Sequence, residues 1–275
     1  MPVRRRAVFL DVDGTLIDHA ETLAPSAVAA VRGARRNGHL VFVCTGRAPA
    51  EIFPPVSDIG FDGAITAGGG YAELGGELIA EHAMPRQLLR AAIDFFESAR
   101  IEYILQSYDA VYPSIGLTAR LRHLLGDALG DWGLVSGPAH PDLDRIPPVA
   151  KLTFFGEDPT TFSRVRDALT PDLQVLTGTM PYLGEAGGEV SVHGINKGVA
   201  ILDVLAALGM GPDDAIAIGD SANDIEMLTV AGVGIAMGNA GDAVKAVADE
   251  VTTGVDDDGV WKAFIRHGLL HAPVE

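Results

Sequence analysis

Two carboxylates follow a short apolar run near the start of the chain. Ala7-Val8-Phe9-Leu10 leads directly into Asp11-Val12-Asp13-Gly14-Thr15. Side chains alternate along a strand, so Asp11 and Asp13 point the same way unless the chain turns between them. Two carboxylates this close repel each other, which favours a shared proton or a bound divalent cation. One carboxylate could then attack as a nucleophile while the other moves protons, although an Asp-Gly turn after a strand is the ordinary alternative.

Three further polar clusters could bind a phosphate or help to hold a metal. Thr45-Gly46-Arg47 offers a hydroxyl, a main-chain N–H and a cation, and Asp220-Ser221-Ala222-Asn223-Asp224 offers two acids and an amide. Lys197 stands at the predicted start of a helix, where the helix dipole disfavours a cation unless an anion lies nearby. Taken singly, these clusters also fit a Thr-Gly turn, a capped acidic first turn and an exposed lysine. Taken together with the first carboxylate pair, they match oxygen-ligated Mg²⁺ beside a phosphate.

The elements that must position these residues alternate between strand and helix. Apolar runs predict strands at residues 7–10, 39–44, 63–66, 215–219 and 233–237. Pro25–Arg36 and Lys197–Leu208 carry helical patterns, and the second pattern lies between a capping Asn196 and Gly209. This alternation predicts an α/β fold with a Rossmann-like parallel-sheet core and helices on both faces. Ligands of such sheets bind beyond the carboxyl ends of the strands, where the polar clusters that follow these runs stand.

The middle of the chain predicts a separate domain. About 150 residues separate Arg47 from Lys197, which is far more than one crossover helix requires. We therefore predict a core of residues 1–80 and 190–275 and an inserted α+β domain of residues 81–189. Within the insertion, the patterns predict helices at 86–99 and 160–169 and strands at 102–106, 174–177 and 189–193. Two further segments, 118–129 and 150–155, are assigned no type.

Composition and charge exclude several classes of protein. The chain has 20 basic and 37 acidic residues and a formal net charge of −17, a field that repels nucleic-acid backbones. No uninterrupted apolar run reaches the ~18–20 residues that span a bilayer, so we expect no membrane partner. The single cysteine, Cys44, excludes an intramolecular disulfide framework and a multi-cysteine zinc site. These features predict a cytoplasmic protein. The oligomeric state stays open between a monomer and a homodimer.

The polar clusters, in this order, resemble the four motifs of the haloacid dehalogenase superfamily. The runs from Glu189 to Gly198 and from Gly219 to Leu228 resemble its Cof-like phosphatase branch in particular, as does the pattern from Gly232 to Asn239. The resemblance covers nearly the whole core, and the insertion resembles the large cap domain of that branch. One departure is the Ala-Gly-Gly-Gly run at 67–70, where the branch usually has an Asn-Gly pair, and we assign the missing asparagine to Gly69.

The resemblance implies a mechanism, residue by residue. Asp11 would attack phosphorus and become an aspartyl phosphate, while Asp13 would protonate the leaving alcohol and later take a proton from water. Mg²⁺ would be bound by Asp11, the main-chain carbonyl of Asp13, and Asp220. The phosphoryl group would be bound by Thr45, Gly46, Lys197 and Asn223. The residues that bind metal and phosphate would in turn be supported by Asp224 and Arg47. Asp224 would orient Lys197 or a water bound to the metal.

The implied activity is Mg²⁺-dependent hydrolysis of small phosphorylated metabolites, such as sugar phosphates. A phosphomutase, which returns the phosphoryl group to the substrate, and a non-catalytic module that binds a phosphorylated ligand are the alternatives. The core clusters account for phosphate and metal and provide little that could read the rest of a substrate. We therefore expect the insertion to supply the contacts that select among substrates.

Overall fold

The computed structural model describes residues 4–119, 136–156, 158–177 and 186–270. Its internal contacts divide the chain into two compact units. The first unit comprises Met1–Gly46, Pro54–Ala80 and Asn196–Glu275, and the second comprises Arg47–Phe53 and Glu81–Ile195. Among the described residues, no helix is long and apolar enough to cross a membrane.

Each unit contains one sheet, and helices connect and cover the strands. The strands are β1 (Ala7–Leu10), β2 (Leu40–Cys44), β3 (Gly63–Thr66), β4 (Tyr71–Leu74), β5 (Glu77–Glu81), β6 (Glu102–Ser107), β7 (Val111–Pro113), β8 (Val149–Phe155), β9 (Gln174–Thr177), β10 (Gly188–Ser191), β11 (Ala215–Gly219), β12 (Val233–Ala236) and β13 (Glu250–Val251). The helices are α1 (Pro25–Arg36), α2 (Pro54–Ser57), α3 (Arg86–Ala99), α4 (Thr161–Leu169), α5 (Lys197–Leu208), α6 (Ile225–Val230), α7 (Asp242–Lys245) and α8 (Gly259–Arg266).

The sheet of the first unit has eight strands in the order β13-β12-β11-β1-β2-β3-β4-β5. The six strands from β13 to β3 are parallel, and β4 runs antiparallel to β3. This confirms the predicted α/β class with a Rossmann-like parallel core. Because β1, β2 and β11 are neighbours and run the same way, the residues that follow them meet at one edge of the sheet.

Successive residues of the central strands point to opposite faces of this sheet, and both sets are buried. Phe9 and Phe42 stack with their ring centroids 5.0 Å apart, and they belong to one apolar cluster with Ile201 of α5 and Met227 of α6. Val8 and its alternating neighbours point to the opposite face, and α1 packs on β2 and on α8. Helices therefore cover both faces of the sheet behind the edge where the residues that follow the strands meet.

The second unit is built on an antiparallel sheet in the order β7-β6-β8-β10-β9. Its apolar core lies between one face of this sheet and helices α3 and α4. Phe96 of α3 stacks on Tyr103 of β6 and on Phe154 of β8, at centroid distances of 5.7 and 5.8 Å. The next residues along the strands face the other way, and one of them, Lys151, forms a buried ion pair with Glu189 at 3.0 Å.

The unit boundaries differ from the predicted limits of 80/81 and 189/190 in two places. Strand β10 pairs with β8 and β9, so the second unit continues to Ile195. The segment 47–53 also belongs to the second unit, although the prediction assigns it to the core. Ala48 packs in an apolar cluster with Ile104, and the buried Glu51 carboxylate accepts hydrogen bonds from Ala48 N at 2.6 Å and Gln106 Nε2 at 2.5 Å.

Most predicted elements of the insertion are present. Helix α3 and strand β9 have the predicted bounds, and α4, β6 and β10 differ from prediction by one or two residues at an end. The segment at 150–155, to which no type is assigned, lies in strand β8. The segment at 118–129 lies outside the described residues from position 120 onward.

Candidate active site

The centre of the site is a buried lysine between two carboxylates. Lys197 Nζ lies 2.6 Å from Asp11 Oδ1 and 2.5 Å from Asp224 Oδ1. The lysine side chain is fully buried, so the alternative of an exposed lysine is wrong. Burial by itself disfavours the ammonium, but the charges of Asp11 and Asp224 raise the pKa of Lys197 above its ordinary value. Lys197 is therefore held as a cation in the interior.

Local structure at the start of α5 places this lysine. Asn196 caps the helix by accepting a hydrogen bond from Val199 N at 3.0 Å. A Cβ on Gly198 would lie 2.8 Å from the carbonyl oxygen of Glu226, so glycine allows the close approach of α5 and α6. The usual penalty for a cation at a helix N-terminus is offset because both anionic partners are within hydrogen-bond distance.

Asp224 joins the lysine to the loop that follows β11. Its side chain is fully buried, and Oδ1 accepts from Lys197. Its second oxygen, Oδ2, accepts from the main-chain N–H groups of Asp220 at 2.9 Å and Ser221 at 3.0 Å. One carboxylate therefore orients Lys197 and fixes the main chain at Asp220.

Three carboxylates gather at this point, and Lys197 forms ion pairs with two of them, Asp11 and Asp224. Asp11, Asp220 and Asp224 each offer an oxygen within 4.8 Å of the others. Burial, with Asp224 adding to it and Lys197 opposing it, raises the pKa of Asp11 well above its ordinary value. Burial and the charge of Asp224 raise the pKa of Asp220 to about 6. These shifts are those expected of acids whose negative charge lacks full compensation.

The donor set fits a hard divalent cation. Asp220 Oδ1 is buried and has no hydrogen-bond partner among the described residues, which is costly unless another ligand pairs with it. Carboxylate oxygens are the ligands that Mg²⁺ prefers in proteins. The carboxylate of Asp13 is not in the cluster; its predicted contribution is a main-chain carbonyl, and that stays a prediction.

The other predicted residues lie on the surrounding loops. Asp13 has an exposed side chain and stands in the turn after β1, where Gly14 N donates to Ile17 O at 2.8 Å. Thr45 is buried at the end of β2, next to the half-buried Gly46. Asn223 Oδ1 accepts a hydrogen bond from Ser221 Oγ at 2.8 Å.

Arg47 belongs to the second unit. Its guanidinium lies over the ring of Phe53, 5.4 Å from the centroid, and donates to Glu51 O at 3.4 Å. The structure thus brings Asp11, Lys197, Asp220 and Asp224 into one group and ties Arg47 to its own segment.

Asn239 is a residue near the site to which the sequence analysis gives no role. It follows β12, and its Nδ2 donates to Gly14 O at 2.9 Å and to Asp220 Oδ2 at 3.3 Å. Its place in the sequence could have indicated a role at the site. Strand β12 is the next parallel strand after β11, and Asn239 is a polar residue just beyond the end of β12.

The loop after β3 corrects the assignment of the missing asparagine to Gly69. Gly69 has a φ of 103°, and a Cβ there would collide with the carbonyl oxygen of Asn196. Gly68 has φ 67° and ψ 26°, with open space where a Cβ would stand. Asparagine tolerates this left-handed conformation, so Gly68 is the position that can carry it. Gly68 N also donates to Thr45 O at 3.0 Å, which ties this loop to the end of β2.

This geometry predicts that asparagine costs little stability at position 68 and much more at position 69. Gly68→Asn should change the free energy of unfolding by no more than about 0.5 kcal/mol, as a surface change does. Gly69→Asn should cost about 2–4 kcal/mol, because strain and overlap with Asn196 act together. Chemical denaturation of the two purified variants measures both values. Equal stability of the two would contradict the loop geometry.

Comparison with known proteins identifies the family. A sequence model of haloacid dehalogenase-like hydrolases matches residues 8–264. The chain belongs to this family. The resemblance predicted from the motifs is thereby confirmed, and the match extends through the second unit as well as the first.

Several relatives of this hydrolase are named as phosphatases. Pyridoxal phosphate phosphatase YbhA of Escherichia coli (strain K12) is 28% identical over 277 residues, covering 95% of this chain and 98% of the relative. 5-Amino-6-(5-phospho-D-ribitylamino)uracil phosphatase YwtE of Bacillus subtilis (strain 168) is 27% identical over 273 residues, covering 93% and 95%. The solved structure of the HAD subclass IIB sugar phosphatase BT4131 superposes with a TM-score of 0.79 at 26% identity, covering 96% of this chain and 100% of that one. This haloacid dehalogenase-like hydrolase is a phosphoric monoester hydrolase.

Proposed function

We propose that this phosphatase is Mg²⁺-dependent, acts on small phosphorylated metabolites and works through an aspartyl-phosphate intermediate on Asp11. The observation that carries the proposal is the contact of Asp11 with the buried Lys197 beside Asp220 and Asp224. This arrangement presents one carboxylate for attack and one fixed cation for the transferring group. Such a site works mainly by positioning and by neutralising charge.

The residues have complementary roles in the proposed reaction. An Asp11 oxygen forms a bond to phosphorus as the bond to the leaving oxygen breaks, and Asp13 gives that oxygen its proton. In the second step Asp13 takes a proton from water, which attacks phosphorus and releases Asp11 and inorganic phosphate. Lys197 holds phosphoryl oxygens throughout, with Thr45, the Gly46 N–H and Asn223 as further donors. Mg²⁺, held by Asp11, Asp220 and the Asp13 carbonyl, would supply positive charge that offsets the repulsion between phosphate and carboxylates.

The substrate class is proposed from the relatives taken together. Three relatives of nearly equal identity are named for a pyridoxal phosphate, a ribitylaminouracil phosphate and a sugar phosphate. All three substrates are small phosphorylated metabolites, whereas their leaving groups differ. We therefore propose this class for the present enzyme. Cytoplasmic location and a monomeric or homodimeric state stay predictions.

The experiment is a phosphate-release assay over a panel of phosphomonoesters with the purified enzyme. The panel includes an aryl phosphate, pyridoxal 5′-phosphate and several hexose and pentose phosphates, each with Mg²⁺ and with chelator. We expect release of inorganic phosphate that depends on Mg²⁺ and differs among substrates. Isomerised sugar phosphate without phosphate release would instead establish the phosphomutase alternative. Binding of phosphorylated ligands without turnover of any would establish the non-catalytic one.

A further inference from the structure

The Asn239 side chain is held in one orientation by the loop around it. Lys245 Nζ donates to Gly238 O at 2.7 Å, which fixes the main chain just before Asn239. Asn239 Oδ1 accepts a hydrogen bond from Val255 N at 3.0 Å. Since the amide oxygen is engaged there, the amide nitrogen must point the other way, toward Gly14 and Asp220.

The two hydrogens of Nδ2 match two acceptors on different loops. One acceptor is the carbonyl of Gly14, at 2.9 Å, and the other is Asp220 Oδ2, at 3.3 Å. Gly14 has a φ of 84°, and a Cβ on it would collide with the Asp220 carboxylate. The turn after Asp13 therefore packs directly on Asp220, and Asn239 joins the two.

We propose that Asn239 is a positioning residue for the metal site. Its hydrogen bond occupies Asp220 Oδ2 and thereby presents Oδ1, which is buried and has no hydrogen-bond partner among the described residues, to the cation. Its bond to Gly14 holds the turn that carries Asp13 at a fixed distance from Asp220. The role rests on the proposed Mg²⁺-dependent function, and outer partners of this kind commonly tune metal affinity.

The test is calorimetric titration of Mg²⁺ into the enzyme in the absence of substrate. Asn239→Ala removes both donors and should weaken Mg²⁺ binding by about 10-fold. The Mg²⁺ concentration for half-maximal activity should rise by a similar factor. The matched control is Asn37→Ala, because Asn37 Nδ2 also joins distant segments, donating to Leu269 O at 2.9 Å, and has no assigned role in the site. Asn37→Ala should bind Mg²⁺ like the wild type.

Thermal unfolding of each variant with and without Mg²⁺ separates metal binding from stability. If Asn239 merely ties loops together, Asn239→Ala lowers the unfolding temperature but keeps wild-type Mg²⁺ affinity, and the proposal is overturned. It is equally overturned if Asn37→Ala weakens Mg²⁺ binding as much. If the wild-type enzyme turns over phosphomonoesters but binds no Mg²⁺, the proposed metal dependence fails and the role of Asn239 fails with it.

Discussion

Replacing Asp11 by asparagine should lower phosphate release by about 10⁴-fold or more, because the neutral amide lacks the negative charge that the proposed attack on phosphorus requires. The substitution keeps the size of the side chain and leaves Lys197 paired with the buried Asp224. The fold should therefore survive, and circular dichroism should match that of the wild type. Initial rates of phosphate release from an aryl phosphate at saturating Mg²⁺ measure the effect.

The matched control is Asp167→Asn on helix α4. Asp167 is exposed, and its ion pair with Arg166 lies at the surface, where such pairs contribute little to stability. This variant should retain the wild-type rate. Near-wild-type turnover by purified Asp11→Asn would refute Asp11 as the nucleophile, whatever the result for the control.

Chelation of divalent metal should abolish activity, and added Mg²⁺ should restore it. A phosphate dianion that approaches Asp11 also approaches Asp220 and Asp224, whereas Lys197 supplies one positive charge, in direct contact with Asp11 and Asp224. Coulomb repulsion at such distances in a partly buried site amounts to several kcal/mol, roughly 4 kcal/mol per unit-charge pair at 4 Å. The proposed Mg²⁺ would offset this repulsion, so rates with EDTA should fall to background.

Metal replacement after chelation shows whether the site demands a compact cation. Ca²⁺ should restore activity poorly, because it takes longer bonds and a looser coordination than Mg²⁺. EDTA that is already saturated with Mg²⁺ is the control for effects of the chelator itself and should leave the rate unchanged. Full activity in excess EDTA, after dialysis against it, would contradict a metal-dependent mechanism.

The buried charges of Asp11, Lys197 and Asp224 contact one another, so a substitution of one changes the surroundings of the other two. Asp224 serves both Lys197 and the main chain at Asp220, so its removal would disturb the cation and the loop together. Removing Lys197 would leave Asp11 and Asp224 buried without their partner, which is costly in itself. Effects of substitutions in this group are therefore not expected to add.

Local signals in the sequence determined two helices of the first unit, α1 and α5, and the positions of its polar clusters. Pro25 and the Asn37-Gly38 pair delimit α1, and Asn196 and Gly209 delimit α5, as predicted. These signals act through neighbouring main-chain groups and so can be read without the fold. The types and order of the polar clusters likewise carried the family resemblance. Their meeting at one edge of the sheet could also be predicted, because parallel strands bring their carboxyl ends to the same edge.

Tertiary structure decided which of those residues touch, since the contacts join residues far apart in the chain. Lys197 meets Asp11 across 186 positions, and Asn239 meets Gly14 across 225. The space beside Gly68 and its absence beside Gly69 depend on where the start of α5 packs. Segment 47–53 follows a core strand in sequence, yet Glu51 is bonded to Gln106 of the second sheet. Local propensity carries no information on such pairings, because their free energy comes from burial and charge that exist only once distant elements have packed.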